Sequence, residues 1–194
     1  MYLTQRHELT HNSSGVIAGM DFVVDDAPTQ DCPNGIVVNM SLGGFRSSAV
    51  NAAAAGITRA GHFLAVAAGN EGADSDDFSP ASEASACTVG ATEKDDTLAS
   101  YSNIGQAVDV LAPGTDIEST FPGGVTETLS GTSMASPHVA GLAAYLLALG
   151  QSAEGLCEQI ASTALDGVIS RVPTDTVNLL INNGFVSNST ARRH

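Results

Sequence analysis

Tryptophan is absent from this sequence, and charged side chains are scarce, because Asp, Glu, Lys and Arg together make up 14% of the 194 residues. Hydrophobic residues account for 43%, a composition that excludes a disordered chain. No apolar run is long enough to span a bilayer, since the longest covers only residues 139–149. We therefore expect a globular domain with a sizeable core, in which this run forms a buried helix.

Basic residues are also few: 7 Lys and Arg oppose 21 Asp and Glu, which gives a formal net charge of -14. A surface this acidic repels phosphate backbones and anionic lipid headgroups. The charge balance therefore excludes nucleic acid and membrane surfaces as expected partners.

Cysteine is limited to Cys32, Cys87 and Cys157, and no two of them form a Cys-x-x-Cys pair. A zinc ribbon is therefore disfavoured, and the odd number leaves one thiol over if the other two pair. Residues 1–10 contain no apolar stretch of signal-peptide length, so we expect no signal peptide in this chain.

Short apolar runs alternate with helical patterns along the chain. The patterns predict strands over 36–42, 63–68, 87–91 and 108–112, helices over 15–24, 47–60, 131–149 and 153–163, and a turn at 123–124. This alternation predicts an α/β fold with a mostly parallel sheet and helices on both faces. Chemistry in such folds lies at the carboxyl ends of the strands, where Gly43 and Asn70 are placed.

Residues 131–141, Gly-Thr-Ser-Met-Ala-Ser-Pro-His-Val-Ala-Gly, carry the most informative pattern. Ser133 opens a long apolar helix, where unpaired N–H groups and the helix dipole favour negative charge. Pro137 removes the helical hydrogen bond to the carbonyl of Ser133. Taken alone, Gly-Thr-Ser is more typical of a simple helix cap than of a reactive serine.

The full string resembles the serine motif of the subtilisin-like serine peptidases, or subtilases, and most of all their proteinase K-like branch. Residues 39–44 (Asn-Met-Ser-Leu-Gly-Gly) are similar to the family's substrate-binding strand, and 66–71 (Val-Ala-Ala-Gly-Asn-Glu) to its oxyanion turn. The family's remaining motifs follow in order at 79–82, 87–91 and 112–114. The resemblance runs from Ser14 to about Gly184 and implies a subtilisin-like α/β fold.

The resemblance also implies a serine endopeptidase that acts on peptides or proteins. Ser133 would be the nucleophile, and the side-chain amide of Asn70 would stabilise the oxyanion. The substrate backbone would pair with Ser41, Leu42 and Gly43 as an added strand. The pocket for the side chain before the scissile bond would be lined by Ala67, Ala68 and Gly69.

Further properties follow from the same resemblance. Cys87 would pair with Cys157, and the partner of Cys32 stays open. No cofactor is required for the chemistry, but a structural calcium ion is implied, held by the Asp109 carboxylate and the carbonyls of Ala84 and Ala86. The family is secreted, so an extracellular monomer is expected.

The acid and base that activate the family's serine have no counterpart in this sequence, because neither Asp-Thr-Gly nor His-Gly-Thr-His occurs in it. We interpret residues 1–11 as an unmatched segment, 12–186 as an N-terminally truncated peptidase domain, and 187–194 as a polar tail. His138 lies on another face of the helix from Ser133 and is expected to be packed beneath the site. This chain alone is therefore predicted to be nearly inactive.

Two other functions compete with the peptidase. A truncated subtilase-like protein without catalytic activity could bind peptides. Residues 7–11, His-Glu-Leu-Thr-His, match the zinc-peptidase motif H-E-x-x-H. That motif needs a stable helix and a third ligand, whereas residues 12–15 (Asn-Ser-Ser-Gly) end a helix at once, so the zinc hypothesis is disfavoured.

Overall fold

Strands and helices alternate through residues 13–184, which are the residues that the computed structural model describes. The helices are α1 (Ser13–Asp26), α2 (Ser48–Arg59), α3 (Thr132–Ala148) and α4 (Leu156–Thr163). The strands are β1 (Val37–Met40), β2 (Gly44–Phe45), β3 (Phe63–Ala67), β4 (Phe78–Ser79), β5 (Cys87–Thr92), β6 (Val110–Pro113), β7 (Ile117–Phe121), β8 (Val125–Leu129), β9 (Leu165–Asp166) and β10 (Leu179–Leu180). The predicted helices and buried strands are confirmed to within a few residues.

One six-stranded sheet forms the centre of the fold, in the order β1-β3-β5-β6-β10-β9. Its pairs are parallel except for β10 with β9. The predicted mostly parallel sheet is therefore confirmed. Two small antiparallel pairs lie outside it, β2 with β4 and the hairpin β7–β8, and the second one confirms the turn predicted at residues 123–124.

The sheet is covered on both faces, as the alternation of side chains along β3 illustrates. Leu64 and Val66 belong to the core cluster that contains residues of α1 and α2. Phe63 and Ala65 belong to the cluster that contains residues of α3 and α4. Because successive side chains of a strand point to opposite faces, the odd-numbered residues of β3 pack against one layer of helices and the even-numbered residues against the other.

Helix α3 is apolar on nearly all sides, but it is not fully buried. Ala135, Val139, Ala143 and Leu147 pack into the core. Tyr145 and Leu149 at its far end are 52% and 61% exposed. The expectation of a buried helix is thus wrong for one of its faces, because the sheet covers α3 from one side only. No helix in the described part of the chain has the length and apolar character that a membrane span requires.

Candidate active site

The N-terminus of α3 places Ser133 in the first helical turn, after the N-cap residue Gly131. Met134 donates its N–H to the carbonyl of Gly131 over 2.9 Å, while residues 13–184 offer the N–H of Ser133 no acceptor. Ser133 lines a cavity of about 400 Å³, which extends along the hairpin β7–β8. A free N–H at the positive end of a helix dipole is suited to hold a negatively charged oxygen.

Asn70, in the turn after β3, is oriented by Thr132. The N–H of Thr132 donates to Asn70 Oδ1 over 2.8 Å, and its hydroxyl donates to the same atom over 3.0 Å. Because a backbone N–H can only donate, the side-chain atom that faces it must be the oxygen. The Asn70 amide therefore directs its NH₂ group away from Thr132, where it is available to a ligand.

Asn103 fixes the backbone of this turn by hydrogen bonds, a role that the sequence analysis did not predict. Its fully buried side chain accepts from the N–H groups of Glu71 and Ala73 at 3.0 Å each. Its amide donates to the carbonyl of Ala68 and to Glu71 Oε2. Gly69 has a φ of +109°, and a Cβ there would collide with the Asn103 amide, so only glycine fits at this position.

A chain of polar side chains ties β1 to α3. Ser136 Oγ donates to Asn39 Oδ1 over 2.6 Å, and Asn39 Nδ2 donates to Ser41 Oγ over 3.0 Å. Ser41 Oγ in turn donates to the carbonyl of Ser133 over 2.7 Å. This carbonyl is the one whose helical donor is missing at Pro137. The sequence contained one sign of the network, a buried asparagine within an apolar strand.

The residues expected to bind substrate belong to two segments that contact the start of α3, since Ser41 bonds to Ser133 and Gly69 to Thr132. Ser41 and Leu42 are half-buried and Gly43 is exposed, in the segment between β1 and β2. At the end of β3, Ala67 and Ala68 are buried and Gly69 is half-buried. The side chain of Ala68 belongs to a core cluster with Leu98, Val108, Leu111 and Ile169. The ends of β1 and β3 thus meet at the start of α3.

His138 is exposed, so the expectation of a packed histidine is wrong. It lies on the side of α3 that faces away from the sheet, and it lines the same cavity as Ser133. Its Nδ1 is 2.8 Å from the carbonyl of Met134. His62 lies on the second cavity described below, where burial lowers its pKa. The H-E-x-x-H match at residues 7–11, which the sequence analysis disfavoured as a zinc site, lies outside the described residues.

A second cavity of about 740 Å³ contains the three groups expected to hold calcium, since Ala84, Ala86 and Asp109 all line it. Burial raises the pKa of Asp109 to about 6. The N–H of Thr88, which donates to this carboxylate over 2.7 Å, acts in the opposite direction and lowers the pKa. No cationic side chain within residues 13–184 forms an ion pair with this carboxylate. The cavity therefore contains a partly buried carboxylate and both residues whose carbonyls were expected to bind a cation with it; oxygen ligands of this kind are those that a hard cation such as calcium prefers.

The disulfide between Cys87 and Cys157 is confirmed, with a Cα–Cα distance of 5.6 Å. It joins the first residue of β5 to α4, on the wall of the Asp109 cavity. Cys32 is free and exposed.

Known proteins are similar to this chain in sequence and in fold. The model of the subtilase family matches residues 16–172. The chain is 67% identical over 173 residues to Proteinase T of Parengyodontium album, covering 89% of this chain and 59% of that protein. It is 53% identical to the Cuticle-degrading protease of Metarhizium anisopliae, covering 88% of this chain and 45% of that protein.

A crystal structure of a cold adapted subtilisin-like serine proteinase superposes with a TM-score of 0.81 at 40% identity. The match covers 87% of this chain and 60% of that chain. The chain therefore spans between about half and three fifths of the length of these relatives.

Proposed function

This chain belongs to the subtilase family of serine peptidases, and from this premise we propose that it forms the nucleophile-bearing part of a serine endopeptidase. In this proposal Ser133 attacks the carbonyl carbon of a peptide bond. The N–H of Ser133 and the side-chain amide of Asn70 hold the oxyanion that results. The reaction requires no cofactor.

The arrangement of these two donors is the observation that carries the proposal. One is a backbone N–H without an acceptor at the start of α3, and the other is the NH₂ group of an amide whose oxygen is held by Thr132. The first donor belongs to α3, and the second is held against Thr132, the residue immediately before Ser133. Donors that are oriented before the reaction stabilise developing charge at little reorganisation cost, which is the largest catalytic term in many acyl transfers.

The nucleophile also needs a base and an acid that orients it. The described hydrogen bond of Ser133 Oγ goes to the carbonyl of Ser41 over 3.3 Å, and a carbonyl cannot accept the proton of an alcohol at neutral pH. We therefore assign the base and its acid to a part of the fold outside residues 13–184. The greater length of the relatives is consistent with this assignment.

The proposed substrate is an extended peptide or protein segment. Its backbone would pair with Ser41, Leu42 and Gly43, because the segment after β1 is accessible beside Ser133. Small residues at 67–69 leave room for apolar side chains before the scissile bond. We place the protein outside the cell, where a disulfide such as Cys87–Cys157 persists, and we propose that it acts as a monomer.

We assign a structural calcium ion to the Asp109 cavity, with the carbonyls of Ala84 and Ala86 as further ligands. Bound there, calcium would supply the positive charge that the carboxylate lacks in the described part of the chain. The cavity lies at the start of β5, whereas Asn70 follows the end of β3, so the ion would stabilise the fold and take no part in catalysis.

Sequencing the transcript upstream of Met1 and expressing the longest open frame tests the proposal. We expect in-frame Asp-Thr-Gly and His-Gly-Thr-His motifs and hydrolysis of an activated peptide ester. Ser133→Ala should abolish this activity. Asn70→Ala should lower turnover by about 10²–10³, the effect established for the equivalent asparagine of subtilisin. A frame without these motifs, whose product binds peptides but hydrolyses none, would support the non-catalytic alternative.

A further inference from the structure

The wall of the Asp109 cavity carries a compact cluster of side chains that can bind metals. One donor atom each from Cys87, Asp109 and Cys157 lies within 4.8 Å of the other two. No other group of three or more His, Cys, Asp and Glu side chains in the described part of the chain comes together in this way. In the oxidised protein the two sulfurs are joined in the disulfide, so only the carboxylate can bind an ion.

Cys87 and Asp109 are held in place without help from the disulfide. Thr88, the residue after Cys87, donates its N–H to the Asp109 carboxylate over 2.7 Å. The N–H of Asp109 donates to the carbonyl of Thr88 over 2.9 Å. Cys87 itself begins β5, which pairs with β3 and β6. These contacts do not involve the bridge, so two of the three ligand-bearing residues keep their places when it opens.

Helix α4 brings Cys157 to the cluster, and its packing is also independent of the bridge. Leu156 and Ile160 of this helix are buried in the core cluster that contains residues of α3. In the chain-entropy model a disulfide stabilises the fold mainly by restricting the unfolded chain. Its loss therefore lowers stability without displacing the packed helix, and we expect Cys157 to remain opposite Cys87 in the reduced protein.

The cavity gives a reductant and a cation access to the cluster, because both cysteines line it. Cys157 is half-buried and the other cysteine is buried, so a reductant meets Cys157 first. Glu154 and Glu158 line the cavity together with Asp109, whereas Arg59 is the one permanently charged basic residue among the described lining residues. This excess of negative charge attracts a divalent cation.

Reduction changes the set of donor atoms at this place. A thiol or phosphine reductant supplies two electrons, the S–S bond breaks, and each sulfur takes up a proton and becomes a thiol. A divalent ion that then binds both sulfurs displaces these two protons to solvent. Two thiolates and a carboxylate suit zinc, whereas calcium takes oxygen ligands.

The spacing of the three donor atoms fits a tetrahedral zinc ion. With Zn–S bonds of about 2.3 Å and a Zn–O bond of about 2.0 Å, the ligand atoms lie about 3.5–3.8 Å apart. The donor atoms here are within 4.8 Å of one another. Once the covalent bond is broken, side-chain movements of roughly 1–2 Å complete the site. The cavity leaves room for a water molecule as the fourth ligand.

We propose that reduction of the Cys87–Cys157 bridge creates a zinc site, in which both thiolates and the Asp109 carboxylate bind the ion. The oxidised bridge leaves Asp109 to calcium, as assigned above, and the reduced bridge gives the same carboxylate to a thiophilic ion. The redox state of the bridge therefore selects the class of cation that the cavity takes. This inference goes beyond the proposed peptidase function and does not depend on Ser133.

Zinc titration of the 194-residue chain in both redox states tests the inference. Cys32→Ser is the background throughout, so that the exposed free thiol contributes nothing. The chain is reduced with a phosphine under nitrogen, freed of the reductant, and titrated with zinc in competition with a chromophoric chelator. We expect the reduced chain to bind one zinc ion more than the oxidised chain. Native mass spectrometry should show that two protons are lost for this ion.

Asp109→Asn tests the carboxylate, because it removes the charge and keeps an oxygen for the N–H of Thr88. The zinc affinity of the reduced chain should fall by at least about 10–100-fold, the cost of losing even an outer-shell partner of a metal site. Glu154→Gln is the matched control, because it removes a negative charge from the same cavity. It should change the zinc affinity little.

Equal zinc uptake by the oxidised and the reduced chain would assign the ion to ligands elsewhere and overturn the inference. An affinity that Asp109→Asn leaves unchanged would overturn it as well. If the reduced chain unfolds by itself, zinc should restore its fold and raise its melting temperature, as followed by circular dichroism. A reduced chain that stays unfolded in excess zinc would also contradict the inference. None of these outcomes affects the proposed peptidase function, which is tested on Ser133 and Asn70.

Discussion

Ser41 and Ser133 exchange two hydrogen bonds, although 92 positions separate them in the sequence. Ser41 Oγ donates to the carbonyl of Ser133 over 2.7 Å, and Ser133 Oγ donates to the carbonyl of Ser41 over 3.3 Å. The first bond replaces the helical bond that Pro137 cannot make. The proline therefore leaves an acceptor through which Ser41, in the segment after β1, is held against Ser133 at the start of α3.

A double-mutant cycle measures this relationship. Ser41→Ala leaves the carbonyl of Ser133 without a donor, so we expect the free energy of unfolding to fall by about 1–2 kcal/mol. In a Pro137→Ala background the new N–H can donate to that carbonyl, so the same substitution should cost clearly less. Urea denaturation gives the four free energies. Equal costs in both backgrounds would show that the two residues do not share this acceptor.

Ser133 should not react with a fluorophosphonate in the 194-residue chain, because without a base its hydroxyl attacks only as a neutral alcohol. Intact mass spectrometry after incubation measures the labelling, and Ser133→Ala provides the background. His138→Ala should give the same result as the unmodified chain. Rapid stoichiometric labelling that is lost in His138→Ala would identify His138, on the same cavity, as a base that we have not assigned.

Asp109 should make stability depend on pH. Its pKa is about 6 in the folded protein, against an ordinary value of 3.8. Between these values the unfolded chain has lost the proton that the folded chain still binds, so the free energy of unfolding falls as pH rises through this window. The difference between the two pKa values corresponds to roughly 3 kcal/mol. Asp109→Asn should flatten the dependence of the free energy of unfolding on pH. Denaturation at a series of pH values from about 3.5 to about 7, which brackets the two pKa values, measures it.

Calcium should offset the loss of stability that ionisation of Asp109 causes, because the ionised carboxylate is the form that binds the ion. We expect millimolar calcium to raise the melting temperature above pH 6 and to have little effect well below it, where protons compete for Asp109. Magnesium is the control ion, and Asp109→Asn should abolish the effect. An equal rise in the Asn variant would contradict the assignment of the ion to this cavity.

The disulfide should contribute substantially to stability, because it closes a loop with a sequence separation of 70. The chain-entropy model gives about 4 kcal/mol for a loop of this length. Replacing both Cys87 and Cys157 by Ser should lower the free energy of unfolding by about this amount. Cys32→Ser is the matched control, since Cys32 is free and exposed, and it should change little. A similar loss in the control would mean that the effect does not come from the bridge.

The sequence by itself determined the fold class and the chain order of the elements, and it predicted which groups are reactive. Apolar runs of strand length and the long helix after Gly131 are local patterns, and local patterns predict local structure. The string around Ser133 and the turn with Asn70 were recognisable because their chemistry depends on consecutive residues. The pairing of Cys87 with Cys157 came from the resemblance, and the structure confirms it.

Only the tertiary structure decided how these groups are oriented. Thr132 and Asn70 are 62 positions apart, and only packing of α3 against the end of β3 brings them within 2.8 Å. Asn103 belongs to no recognisable string, yet its buried amide holds the turn that contains Asn70. The exposure of His138 was likewise misjudged, because the pattern shows that α3 is apolar but does not show which side the sheet covers. Hydrogen-bond direction and burial depend on contacts between distant segments, and a one-dimensional pattern does not contain those contacts.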